Sequence, residues 1–159
     1  MDKVINIIIP CAAALLCVII ISFLVKRQRN IKLGIAGEKK VAKKLKRFAA
    51  TRGFKVINDI YLPLYDKTTQ VDHILIGYFG VIVVETKNYK DSVYGDLKAK
   101  NWMHVVGNDR NDFYNPLLQN QAHIDCIRHI FSKNNIYNVK IDNLVVFANR
   151  KTELYIPKC

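Results

Sequence analysis

Asp72, Glu85 and Lys87 are the residues of this chain whose types and spacing could do chemistry. They lie in QVDHILIGYFGVIVVETKN, residues 70–88, where two strand-like apolar runs flank the short turn Gly77-Tyr78-Phe79-Gly80. If Ile76 pairs with Val81, antiparallel register sets Asp72 opposite Glu85 and Gln70 opposite Lys87. Side chains alternate along a strand, so all four then share one face. Carboxylates directly opposite one another repel, and a divalent cation held between them removes that cost.

Hydrolysis of a phosphodiester calls for this kind of set. A hard divalent cation polarises the phosphate and activates water, carboxylates hold the cation, and a positive group offsets charge in the transition state. Glu85-Thr86-Lys87 supplies a carboxylate and an ammonium side by side on one strand face, with the Thr86 carbonyl as a further hard oxygen. An E-x-K triplet is common, and its ordinary meaning is a solvated salt bridge. Placement argues otherwise here. Val81-Ile82-Val83-Val84 precedes Glu85, which marks a buried strand where a charge needs a partner.

The elements that must position these groups can be read from periodicity. Residues 34–50 form an expected helix, with Val41, Ala42, Leu45, Phe48 and Ala49 on its apolar stripe. Glu38 falls on that same stripe, as a third acid or as a first-turn Glu favoured by the helix dipole. Thr51-Arg52-Gly53 ends the helix, 54–58 is a strand, and 59–69 is a polar connection. After the hairpin, short strands are expected near Val93-Tyr94 and over 101–106, with a turn-rich loop at 108–112. Residues 116–131 form a second amphipathic helix opened by Pro116, and 141–149 is a last buried strand. The order points to a single α/β domain.

Composition adds an appendage. Of 159 residues with net charge +12, the run from Val4 to Val25 carries no charge. It is long enough for a membrane-spanning helix over 4–25 and lacks the cleavage site of a signal peptide. The basic flank that follows predicts a cytoplasmic C-terminal domain. Residues 26–33 would be a basic juxtamembrane linker. Residues 26–47 hold ten Lys or Arg and one Glu, so the charge is concentrated there. Lys39, Lys40, Lys43 and Lys44 are candidate contacts either to anionic lipid or to nucleic-acid phosphate. The four cysteines have neither CxxC nor zinc-site spacing, which points to reduced structural thiols in a reducing compartment.

The ordered motifs resemble those of the nuclease-related (NERD) domain, within the restriction-endonuclease-like D…(D/E)xK superfamily. They are Gly34-Ile35-Ala36-Gly37-Glu38, Gln70-Val71-Asp72-His73, Val84-Glu85-Thr86-Lys87-Asn88, Gly95 with Trp102, and Asn115-Pro116-Leu117-Leu118-Gln119 leading to His123. The resemblance implies a central mixed sheet flanked by helices over 34–159, with Glu38, Asp72, Glu85 and Lys87 converging and Gln70 and Gln119 as accessory groups. It implies Mg²⁺ or Mn²⁺ at Asp72, Glu85 and Glu38, and hydrolysis of nucleic acid, with DNA processing as the expected role at the cell membrane. The alternatives are an inactive nucleic-acid-binding module on the same fold, or a membrane-surface interaction protein. By alternation His73 is a core residue. His123 is open between a structural hydrogen bond and a phosphate contact. Trp102 and Tyr94 read as core before base-stacking residues.

Overall fold

A computed structural model describes the backbone of residues 2–64 and 67–157, with side chains for 15–63 and 68–157. The chain divides into two compact units, Met1–Ile35 and Ala36–Cys159. Helix α1 runs Asp2–Ala50. The linker expected at 26–33 is therefore helical, because Lys, Arg, Gln and Leu are good helix formers and only Asn30 and Ile31 weaken the run. Among the described residues no helix is long and apolar enough to cross a membrane, so the span expected at 4–25 is not supported there. The side chains of 4–14 lie outside the described residues. Within 15–25, Leu15, Phe23 and Val25 are each more than half exposed.

The second unit is an α/β fold with two mixed sheets and flanking helices. Helix α1 ends where expected: the Ala49 carbonyl accepts from the amides of Arg52 and Phe54, and Gly53 takes the left-handed φ of 68°. Strands β1 (Lys55–Leu64), β2 (Lys67–Gly77) and β3 (Gly80–Lys87) form an antiparallel meander, and β3 pairs in parallel with β7 (Ile141–Phe147). The second sheet joins β4 (Asp91–Tyr94), β5 (Asn101–Val106), β6 (Asp109–Tyr114) and β8 (Thr152–Tyr155) in the order β6-β5-β4-β8. Helix α2 (Pro116–Lys133) begins at Asn115, whose side chain accepts from the Leu117 amide.

Two expected loops are strand. The connection at 59–69 is mostly β1 and β2, since Ile60 and Leu62 alternate inward and pair with Val71 and Thr69. Pro63 is tolerated because β1 is a sheet edge. The loop at 108–112 is mostly β6, turned by Gly107-Asn108 with Gly107 at φ 58°.

The main sheet is covered on both faces. Val71, Ile74, Val81 and Val83 pack with Ile124, Cys126 and Ile127 of α2, while Val84 and Ala148 pack against Val41 of α1. Burial of these side chains, worth about 2 kcal/mol each, supplies the main driving force. Asn120 is fully buried and ties α2 to the sheet, donating to Val83 O at 2.8 Å and Asn143 Oδ1 at 2.7 Å. The charged ends of β2 and β3 project from this rigid frame.

Candidate active site

The hairpin has the expected register. Gly77 pairs with Gly80 and Ile76 with Val81, and the ladder continues to His73 with Val84 before it stops. Asp72 and Glu85 therefore come next to each other without forming a ladder pair. Instead Asp72 turns into the seam between the strands, where its Oδ2 accepts the Thr86 amide at 2.7 Å. The cause lies on β1. Asp59 adopts a left-handed φ of 52°, and pairing skips from Asn58–His73 to Ile60–Val71. Aspartate tolerates that conformation better than most residues. Val71 and Ile74, three apart, consequently both enter the cluster under α2. Strict alternation slips by one residue at Asp72.

The slip corrects one placement. Gln70, expected to face Lys87, is exposed and donates to Asp59 Oδ1 at 2.8 Å. Thr69 faces α2 in its stead, with Oγ1 3.1 Å from His123 Nδ1.

Glu85 and Lys87 stand on the α2 face. Glu85 is 3% exposed. Its Oε1 accepts Lys87 Nζ at 2.8 Å, and Lys87 also donates to Gln119 Oε1 at 2.9 Å. Two of the three ammonium protons are thus committed and one is left for water or a phosphate oxygen. His123 Nε2 lies 3.6 Å from Glu85 Oε2, within ion-pair reach if the ring is protonated but too far for a direct hydrogen bond. Both atoms are buried and lack a hydrogen-bond partner. Burial works to raise the Glu85 carboxyl, yet His123 and Lys87 outweigh it and hold it below its ordinary range.

Asp72 behaves in the opposite way. Burial first, then the Glu85 charge, push its carboxyl up to about 7 against the Thr86 amide and Lys87. Glu38 is also raised, by burial and then by Asp59 and Glu85, with Lys87 opposing. These shared influences put Glu38, Asp59, Asp72, Glu85 and Lys87 in one electrostatic neighbourhood. Gly37 makes the approach of α1 possible: a Cβ there would sit 2.5 Å from Asn88 Cβ.

Among the described residues no group of three or more His, Cys, Asp or Glu is arranged as a complete metal-ion site. The pair Asp72–Glu85 nevertheless fits a cation of the Mg²⁺ kind, which takes one or two carboxylates and fills its other positions with water and phosphate. Glu85 Oε2 has no hydrogen-bond partner, and burial and the Glu85 charge raise the Asp72 carboxyl, so a cation between the two would find a free oxygen on one acid and relieve the other.

His73 is buried, with Nδ1 2.9 Å from Asn58 Oδ1, and burial lowers its pKa despite Glu85. Trp102 is core, stacked on Phe147 and donating to Asp96 O at 2.8 Å, whereas Tyr94 stacks on Tyr155 at the surface. Lys39 and Lys43 are exposed; Lys40 bonds to the Ala148 carbonyl, and Lys44 lies one turn further on. A cavity of about 560 Å³ beside Pro63, Cys126 and His129 contains none of the clustered charges. Sequence reasoning missed Asp59 and Thr69. Asn58-Asp59, a polar pair inside an apolar alternation, was the available signal for the first.

A mixed sheet between two helices, with two acids and a lysine at the end of its central hairpin, is an α/β arrangement consistent with a nuclease-like fold. Residues 33–148 match the nuclease-related domain family, NERD, and the chain belongs to that family. A protein of Bacillus anthracis described as uncharacterized is 38% identical over 100 residues, covering 63% of this chain and 47% of that one. The chain thus spans about half the length of the curated relative it matches. No solved structure matches.

Proposed function

We propose that this chain hydrolyses phosphodiester bonds in nucleic acid with the help of Mg²⁺ or Mn²⁺, with DNA the expected substrate and the restriction-endonuclease-like architecture as its frame. The carrying observation is the Asp72 carboxylate, locked by the Thr86 amide beside a Glu85 whose Oε2 has no hydrogen-bond partner. Asp72 and Glu85 would hold the cation, and Glu38 would bind it through water or directly. When bound, the cation polarises the phosphate and makes water a stronger nucleophile at neutral pH.

The chain's own groups do the remaining work. Gln119 and Glu85 fix the Lys87 ammonium, whose remaining proton points a charge-assisted hydrogen bond at water or a phosphate oxygen. His123, anchored by Thr69, keeps Glu85 ionised and in place. Gln119, unlike Gln70, is in direct contact with this machinery. Placement at the cell membrane, with the domain cytoplasmic, rests on the apolar composition of 4–25 and the basic flank after it.

The test is cleavage of plasmid DNA by the purified full chain with Mg²⁺. Asp72→Ala and Lys87→Ala are each expected to lower the rate by about 100-fold or more. Equal cutting by either variant would remove its residue from the mechanism, and no cutting by wild type with either metal would overturn the nuclease reading.

A further inference from the structure

Beside the acids, at the same end of the main sheet, three cations line a small hollow. Lys40 and Lys44 of α1 and Arg150, just after β7, border a cavity of about 120 Å³ together with Val146, Phe147 and Ala148. The spacing of Lys40 and Lys44 is one helical turn, which puts them on one face. Lys40 is tied in place through the Ala148 carbonyl. Ala148 in turn donates its amide to Lys87 O at 2.8 Å. One residue of backbone therefore joins this hollow to the strand that carries Glu85 and Lys87.

Lys44 and Arg150 are exposed, and neither has a hydrogen bond or ion pair among the described residues. They are cations without a structural partner, held around a concave surface. Adjacent strands lie about 4.8 Å apart, and backbone charges along one nucleic-acid strand recur about every 3.4 Å of helix axis. Lys87 pairs with Phe147, which borders the hollow, so a nucleic-acid strand whose reacting phosphate lies at Asp72 and Glu85 would meet the hollow with a neighbouring part of its backbone.

We propose that Lys40, Lys44 and Arg150 form a phosphate cradle for the nucleic-acid backbone, setting the register of the strand at the acid cluster. This rests on the nuclease reading of the neighbouring site. It divides the four lysines between two duties, since Lys39 and Lys43 do not line the hollow. A lipid surface is the competing partner, and the backbone link through Ala148 to Lys87 favours the nucleic acid.

The experiment is fluorescence anisotropy with the purified full chain and a labelled 20-base-pair duplex in EDTA, so that binding is read without cleavage. Salt is varied, because each phosphate contact adds about 0.9 to the slope of log affinity against log salt. Lys44→Gln/Arg150→Gln is expected to lower that slope by about 1.8 and weaken binding roughly tenfold at moderate salt. Lys39→Gln/Lys43→Gln should lose less than half as much, and Lys40→Gln should reproduce part of the cradle's effect.

Equal losses from the two pairs would mean diffuse attraction and overturn the cradle, as would an unchanged slope or no duplex binding by wild type. Loss of binding to vesicles of phosphatidylcholine with one-third phosphatidylserine, with duplex binding intact, would assign the residues to lipid. The two readings fail separately. Cradle-dependent binding without plasmid cleavage would leave the cradle standing and remove the nuclease, and cleavage with unchanged KM in the cradle variant would do the reverse.

Discussion

Asp72 holds the most information of any single side chain here. Its pKa rises from an ordinary 3.8 to about 7, so the folded state binds a proton more tightly than the unfolded chain. The associated stability is complete below about 4 and is lost as pH rises through 7. A full conversion would give about 4 kcal/mol; partial exposure of the carboxyl reduces this to on the order of 2 kcal/mol. In EDTA at pH 8, Asp72→Asn should therefore melt higher than wild type, and the gap should close by pH 4. Thermal melts across that range would reveal it, and a wild type that melts higher at pH 8 would refute it. The register that brings Asp72 next to Glu85 was legible from arithmetic alone, although the ladder stops one residue short, at His73–Val84. The turn of the carboxylate into the strand seam was not, because it follows from the left-handed Asp59 on another strand, and no counting along 70–88 contains it.

At the scale of elements, β3 and α2 could be read closely, since VIVV and the apolar stripe of 116–131 are strong signals. The strands at 59–69 and 108–112 were obscured by polar residues, mostly on the edge strands β1 and β6, where pairing partners rather than local sequence decide. Helix α1 has a weak point that is also necessary. Gly37 lets the helix meet the end of β3, with Asn88 filling the space a side chain would take. Gly37→Ala removes a helix-weakening glycine, which favours the helix by about 1 kcal/mol. It also forces α1 and Asn88 apart, and overpacking of this kind costs about 1–3 kcal/mol. The net expectation is a mild loss of stability with a larger loss of cleavage, because Glu38 moves away from Asp72. Melting and plasmid assays on one preparation would separate the two effects, and unchanged cleavage would show that Glu38 does not act from α1.

For the whole molecule, charge and hydropathy are distributed unevenly, and that was plain in the sequence. The basic residues are concentrated in 26–47, while the body carrying the site is nearly neutral. Its two units make different demands on their surroundings: the first exposes Leu15, Phe23 and Val25, and the second buries its own core. Exposed apolar side chains on this scale need a non-aqueous or protein cover. If that cover is lipid, the full chain should stay in the membrane fraction after alkaline carbonate washing, and a chain lacking residues 4–25 should not. Release of the full chain by carbonate would argue for a protein cover. The second sheet was only partly foreseen, since β8 gives no strong local signal and exists by pairing with β4.

The bond from the Thr86 amide to Asp72 makes the site observable without any substrate. An amide proton held by a carboxylate shifts in its NMR resonance when that carboxylate gains a proton or a metal ion. Thr86 should therefore titrate with a midpoint near 7 in metal-free protein, far above an ordinary aspartate. Added Mg²⁺ should move the same resonance and abolish its titration near neutrality, whereas the distant Gly107 amide at the β5–β6 turn should stay still. A backbone proton would then report occupancy of the acid pair in the resting protein, before any question of turnover arises.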